Sequence, residues 1–430
     1  MKDAARDIAI PRETTGAGAA EAKPRRRSIG LMVGMGAGHG IKHFYQQGVI
    51  LLLPSIKAGL GLTDVEVGLI GTARTISSAA MNVPAGFLAD MWRTRVALML
   101  TASLLSMALG YLVMGVAPNY WLVLLAVAIT GGGTSLWHAP AFGTLAAVYP
   151  ERRALAMSVH RMGGSVGDSI SPVIMGALLG GFAFWGLEYS GMEWNALAMV
   201  LTVPAVVAAG GVFVAYRNLQ GIGRNAGSMR TYFRSAGSLL TNATVLSMVA
   251  LSGIRSMAHS GLNIFLVLYM SEDLGFPDFK IGYHVTLLTL FGIVSSPLLG
   301  LLSDQIGRRP VIFFGLGSLA TLVFFLLPFG SGWSFTIILA CMGMFLYSVN
   351  PVMMATALDA AKKGTEGSGV ALMFSGAAIF GAISPVIAGR LRELWGMDAV
   401  FYYTAIIVSA SALASLFVPI RKLPVQAPRG

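Results

Sequence analysis

Long apolar stretches alternate with short polar breaks along almost the whole chain. The stretches at 29–53, 65–89, 95–116, 119–147, 154–181, 195–216, 241–271, 280–303, 310–330, 333–358, 367–390 and 398–419 each supply roughly the 20 residues that a helix needs to cross a bilayer. They predict twelve transmembrane helices and an all-α integral membrane protein. Ahead of the first lies a polar segment, 1–28, with Pro11, Pro24 and the basic run Lys23 to Arg27. It lacks the apolar centre of a signal peptide and reads as a disordered basic cytoplasmic tail. A polar linker at 218–240 separates six stretches from six, giving an N-terminal bundle at 29–217 and a C-terminal bundle at 241–420, with a second short tail at 421–430.

Composition agrees with that pattern. The 430 residues are 55% hydrophobic and 11% charged, too few charges to clothe a water-facing surface of this size. The single cysteine, Cys341, excludes a disulfide framework and any cysteine-based zinc site. Basic residues gather in the first tail and in alternate loops, at Arg93 and Arg95, Arg152 and Arg153, Arg217 to Arg234, Arg308 and Arg309, Lys362 and Lys363, and Arg421 and Lys422. By the positive-inside rule these loops and both termini are cytoplasmic. Arg390 and Arg392 are the exception. The net charge of +11 therefore reflects topology, and nucleic acid is not an expected partner.

The chain also repeats itself. Gly86-Phe-Leu-Ala-Asp90-Met-Trp-Arg93 is echoed by Gly300-Leu-Leu-Ser-Asp304-Gln-Ile-Gly-Arg308-Arg309, Ser171-Pro172-Val173-Ile174-Met175-Gly176 by Ser384-Pro385-Val386-Ile387-Ala388-Gly389, and Leu60-Gly61 by Leu274-Gly275. All recur at offsets of 213 or 214, the mark of two tandem, pseudo-symmetric six-helix halves. The Gly-x-x-x-Asp loops resemble the signature of the major facilitator superfamily. That resemblance implies a gating role at the cytoplasmic face for Asp90, Arg93, Asp304, Arg308 and Arg309. His43-Phe-Tyr-Gln-Gln-Gly48, Trp137-His138-Ala-Pro140 and Met162-Gly163-Gly164 through Asp168 to Pro172 resemble the fosmidomycin-resistance branch. This resemblance implies proton-driven movement of a small anion across a bacterial inner membrane.

Ionisable groups inside spans cost several kcal/mol at mid-membrane and persist where they face a polar path. In the first span His39, Lys42, His43 and Gln46 share a helical face. Arg74 and Ser78 do so in the second span, Arg161, Ser165 and Asp168 in the fifth with His160 beside them, and Arg255, His259 and Asn263 in the seventh. His138, Tyr347 and Asn350 are weaker candidates. Four fixed cations, Lys42, Arg74, Arg161 and Arg255, stand against one clear acid, Asp168, which predicts an anionic cargo. Lys42 and Arg255 are repeat equivalents, so each half offers one cation to the same ligand. Asp168 and His43 are the groups able to exchange a proton, with Arg161 or Lys42 as the expected partner of Asp168.

The residues thus predict a monomeric secondary carrier, coupled to protons, for a phosphonate, organophosphate or carboxylate. Lys42, His43, Gln46, Arg74, Arg161, Arg255, His259 and Asn263 are its expected binding residues. The alternatives are an exporter of lipophilic compounds and a non-transporting receptor of the same fold. No Walker loop, metal-binding His-Glu-x-x-His or nucleophile with a paired base is present, so neither a cofactor, a metal nor an enzymatic activity is expected.

Overall fold

The computed structural model describes residues 29–219, 239–329, 332–361 and 366–420. Twelve long helices lie among them: α1 (Ile29–Leu60), α2 (Asp64–Met91), α3 (Val96–Gly115), α4 (Tyr120–Val148), α5 (Arg153–Gly180), α6 (Trp194–Tyr216), α7 (Ala243–Leu268), α8 (Asp278–Ile306), α9 (Arg308–Phe325), α10 (Gly332–Ala360), α11 (Glu366–Trp395) and α12 (Met397–Ser415). The two tails and most of the expected linker lie outside the described residues, as do the side chains of Asp90 and Arg93.

Local chemistry fixes several helix starts. Thr63 and Glu66 form a capping box at α2, and the side chains of Asn119 and Asn242 accept the backbone N–H of Leu122 and Val245, occupying donors that a helix start leaves unpaired. Gly61 and Gly275, one repeat apart, follow the ends of α1 and the α7 segment with φ of 63° and 61°, a conformation that a side chain would strain. One small sheet was not foreseen. Phe182–Phe184 pairs antiparallel with Leu187–Tyr189 across Trp185 and Gly186, both at positive φ, the requirement of a tight two-residue hairpin.

Eight of the twelve helices are long and apolar enough by themselves to cross a membrane. The other four are α1, α2, α5 and α7, the helices that carry Lys42, Arg74, Asp168 and Arg255. Outward faces are apolar: Val200, Val203, Val207 and Val214 of α6 all lie exposed. Such a stripe would be a liability in water and is ordinary in lipid.

The bundle is pseudo-symmetric in its packing. α1 lies against α5 as α7 does against α11, α2 against α4 as α8 against α10, and α3 against α6 as α9 against α12. The halves meet through α2 on α11 and α5 on α8, and these contacts repeat too. A Cβ on Gly68 would strike the Pro385 carbonyl, and one on Gly282, its repeat equivalent, the Pro172 carbonyl. Thr72 donates to the Ala382 carbonyl at 2.5 Å, and Thr286 to the Ser169 carbonyl at 2.8 Å. The Ser-Pro-Val-Ile-x-Gly repeat is therefore the seam between the halves. All these contacts lie toward the end holding the α1–α2 loop. One apolar core runs through both halves, while a second, from Leu31 and Leu100 to Trp137 and Tyr216, belongs to the first half alone.

Candidate functional site

The four less apolar helices turn their polar residues inward. On α1, Lys42 is 1% exposed, and its Nζ lies 2.9 Å from His138 Nε2 of α4. One residue on, His43 Nδ1 lies 2.9 Å from Asp168 Oδ1 of α5, and its Nε2 lies 3.1 Å from His39 Nε2. His39 Nδ1 donates to the His160 carbonyl at 2.8 Å, and the two imidazoles stack with centroids 4.1 Å apart. Four histidines from α1, α4 and α5 thus converge around Lys42.

The second half supplies fewer charges. Arg255 of α7 is buried, donating through one terminal nitrogen to the Leu346 carbonyl at 2.5 Å, while its Nε has no partner. His259, one turn on, packs edge-to-face on Tyr347 at 5.2 Å. Ser252 is bonded to Asn350 at 3.1 Å, and Asn263 is buried two turns beyond Arg255. Across the middle, the Arg74 charge acts electrostatically on His259 and that of Asp168 on Tyr347, and no hydrogen bond joins either pair among the described residues. Arg74 donates to the Gln46 carbonyl at 2.9 Å, which leaves most of its donors free. Arg161 is exposed, acts electrostatically on His43, and has no hydrogen bond or ion pair among the described residues.

At the α1–α2 end a second group of charges bridges the halves. Lys57 of α1 contacts Asp64 at 2.6 Å and Glu272 at 2.8 Å. Arg392 of α11 contacts Asp64 at 3.1 Å, Glu272 at 2.9 Å and Asp273 at 2.7 Å. Glu393 accepts the Val65 backbone N–H at 3.1 Å. At the opposite end Asp304 pairs with Arg308 at 2.6 Å, Arg308 with Asp359 at 3.2 Å, and Arg309 donates to the Val418 carbonyl. All of those partners lie within one half.

Two matches to one family model, over residues 35–253 and 248–430, fall one on each half, and the description of that family is the Major Facilitator Superfamily. The chain belongs to that superfamily. Membership places it among membrane-embedded proteins of a transporter family whose substrates are small molecules. It is similar to the fosmidomycin resistance protein of Escherichia coli, 20% identical over 414 residues, 95% of this chain and 97% of that one. It is also similar to a probable sulfoacetate transporter of Cupriavidus necator, 26% identical over 423 residues, 92% and 94% of the two chains. A bacterial homologue of the human lysosomal transporter Spinster, in an inward-facing and occupied conformation, shares the fold with a TM-score of 0.74 at 15% identity, covering 92% of this chain and 97% of that one.

Within this superfamily fold most of the sequence-derived candidates fall together. His43 is bonded to Asp168, Lys42 to His138 beside them, and Arg74 to the Gln46 carbonyl, while Arg255, His259 and Tyr347 lie on the second half. Asp168 differs in one respect: its bonded partner is His43, with neither Arg161 nor Lys42 in contact. Asp168 and Arg161 are seven residues apart on one helix, whereas His43 points straight at the carboxylate from the packed neighbour. His138 and His160, weaker by spacing alone, belong to the same cluster, because helical periodicity gives a face and not the helix opposite. His39, His138 and His160 bring ring nitrogens within 4.8 Å of one another, close enough to suggest a metal. One nitrogen of His138 is already taken by Lys42 and both of His39 are hydrogen-bonded, so the set fits a cation poorly. By sequence, Glu272 and Asp273 are only acids of a loop on the non-cytoplasmic side, and Lys57 and Asp64 carry no assignment. Their one signal was Arg392, basic in a loop of the wrong side.

Proposed function

We propose that the protein is a proton-coupled secondary transporter of a small organic anion carrying a phosphonate, phosphate, sulfonate or carboxylate group, working by alternating access. The observation that carries this reading is the imbalance at mid-bundle. Lys42, Arg74, Arg161 and Arg255 face a single carboxylate, Asp168, which is committed to His43. Arg74, Arg161 and Arg255 all keep unused donors. A buried cation with spare hydrogens, as Arg255 is, costs free energy until an anion fills it, and guanidinium forks, those of the less buried Arg74 and Arg161 included, suit two-oxygen recognition. The similarity to a probable sulfoacetate transporter supports the same cargo class.

With the basic loops placed in the cytoplasm, the joined α1–α2 end is the outer end, and this conformation opens inward. Anion and proton then enter or leave from the cytoplasm, and the bridge among Lys57, Asp64, Glu272 and Arg392 must part before the outer face opens. Asp304, Arg308 and Arg309, with Asp90 and Arg93, then serve the opposite closure, pairing across the halves only when the inner face shuts.

The test is proton flux in proteoliposomes challenged with phosphonates, organophosphates, sulfonates, mono- and dicarboxylates and lipophilic cations, comparing the natural protein with Arg255→Ala. Anion-elicited flux that disappears in the variant supports the reading. Flux elicited by lipophilic cations alone overturns it.

A further inference from the structure

The hydrogen bonds that run from the His160 carbonyl through His39 and His43 to Asp168 admit a count of their protons. A carbonyl oxygen only accepts, so His39 Nδ1, 2.8 Å from it, carries a hydrogen. A neutral imidazole has one N–H and one lone pair, so neutral His39 presents a bare Nε2. His43 Nε2 faces that atom at 3.1 Å, while His43 Nδ1 faces Asp168 at 2.9 Å. If Asp168 is ionised, His43 Nδ1 must carry a hydrogen, and two bare nitrogens would then oppose each other unless one of them is protonated. If Asp168 is the neutral acid, it donates to His43 Nδ1 and His43 donates onward to His39. Either way the chain of bonds closes only with one proton beyond those of two neutral imidazoles and a carboxylate.

From this geometry we propose that His39, His43 and Asp168 bind the coupling proton jointly, with His39 as a third and terminal member that fixes their capacity at one. The proposal rests on the proton-coupled reading above and adds its stoichiometry and its inner residue. His39 is held for the task by the stacked ring of His160 at 4.1 Å and by the His160 carbonyl, so its Nε2 stays turned toward His43.

The surroundings of the triad are mostly basic. Lys42 from α1, His138 from α4, His160 and Arg161 from α5 face the histidines, and Lys42, Arg74 from α2 and Tyr347 from α10 face Asp168. When the proton leaves, no tautomer satisfies all three contacts. A lone pair must then oppose the His160 carbonyl, the Asp168 carboxylate or the other Nε2, so His43 has to turn out of line. Turning releases Asp168 toward Lys42 and Arg74, the cations available to the anion. The proton travels as a bare H⁺ between nitrogen and carboxylate sites, with no other bond made or broken. The second half has no copy of this device. One repeat on, His43 is Ser256 and Asp168 is Gly381, whose added Cβ would lie against the Ser256 hydroxyl. The same helix pair meets at the same level there without a titratable group.

The proposal is tested on the full-length protein in lipid nanodiscs with ¹⁵N-labelled histidine, across pH 5 to 9, in the natural sequence, His39→Gln and Asp168→Asn. The expected result is a nitrogen–nitrogen coupling across the His39–His43 bond, with both rings titrating as one unit that releases one proton per chain. In Asp168→Asn the His39 signal changes although the two residues do not touch, and in His39→Gln the coupling disappears and His43 titrates alone. Independent titration of His39 and His43, or a His39 signal indifferent to Asp168→Asn, overturns the proposal, and the second variant keeps this true even if His39→Gln does not fold. Because these readouts need no substrate, they separate two failures. A coupled pair in a protein that no anion drives refutes the cargo reading alone. Anion-driven flux with uncoupled histidines refutes the triad alone.

Discussion

Arg392 offers the most direct handle on alternating access. Its side chain is 8% exposed and reaches across the seam to Asp64, while its other two partners, Glu272 and Asp273, belong to its own half. Arg392→Gln therefore removes one charge-assisted bond between the halves. Such a bond contributes about 1.5–3 kcal/mol, and the lower end applies because Lys57, at 2.6 Å, still accompanies Asp64. A loss of about 1.5 kcal/mol shifts the ratio of closed to open outer ends by about tenfold. The shift is readable by pulsed electron-electron resonance between spin labels at Leu187 and Trp395, both exposed at that end on opposite halves, in a Cys341→Ser background that leaves no native thiol. The longer distance should gain about tenfold in relative population. Asp64→Asn deletes the same bridge from the other side. Combining the two should fall short of additivity by about 1 kcal/mol. An unchanged distance distribution in Arg392→Gln, or strict additivity in the pair, would mean that glycine-level packing alone holds the end shut.

Packing has its own test: Gly68→Leu or Gly282→Leu places a side chain against the Pro385 or Pro172 carbonyl, and either should shift the same label pair to the longer distance without touching a charge. Arg255→Lys keeps the charge and loses the planar fork, so anion affinity by isothermal titration should weaken by about tenfold; equal affinity would show that Arg255 acts as a point charge or not at all. Burial raises the affinity of Asp273 for a proton, with Glu272 and Asp64 adding to the effect and Arg392 opposing it. A carboxyl whose pKa is raised in the closed form favours that form as pH falls through the upper carboxylate range and disfavours it as pH rises. The label distances should therefore shorten on mild acidification, and Asp273→Asn should flatten that dependence.

The sequence exposed the architecture well because lipid imposes one dominant rule. Apolar runs of about 20 residues are hard to hide, and the offset of 213 to 214 survives in loops, caps and the Ser-Pro-Val-Ile-x-Gly segments alike. What apolar runs conceal is where helices outrun the hydrocarbon. α1 was expected to end at 53 but continues past Pro54 to Leu60, and α11 was expected to end at 390 but continues to Trp395. Those extensions carry Lys57, Arg392 and Glu393, so the outer bridge lay in residues counted as loop. The mid-bundle site was half legible for a similar reason. Spacing on one helix put Lys42 and His43 on a common face, and Arg255 with His259, but the pairings His43–Asp168 and Lys42–His138 join helices far apart in sequence. Only packing selects them.

The pattern of what repeats and what does not bears on how such a protein couples two fluxes. Backbone features of the seam recur in both halves: Gly68 and Gly282, Thr72 and Thr286, Pro172 and Pro385, Gly176 and Gly389. Each contact has a twin of matching shape, which suits the rocking of the halves that alternating access requires. The charges break that symmetry. Asp64 binds Lys57 and Arg392, whereas its counterpart Asp278 has Ser271 and Leu179 at the equivalent positions. Lys42 matches Arg255 as a cation, yet the titratable companions His43 and Asp168 face Ser256 and Gly381 in register. On the proposed reading, a symmetric hinge carries an asymmetric load, in which both halves hold anion-binding cations and only the first exchanges a proton. Moving His39, His43 and Asp168 together to positions 252, 256 and 381 should then carry pH sensitivity to the second half. If transport in that triple transplant, made on a His39→Ser, His43→Ser, Asp168→Gly background, stayed independent of pH, the triad would not be sufficient and the neighbouring His138 and His160 would be an obligatory part of the proton site.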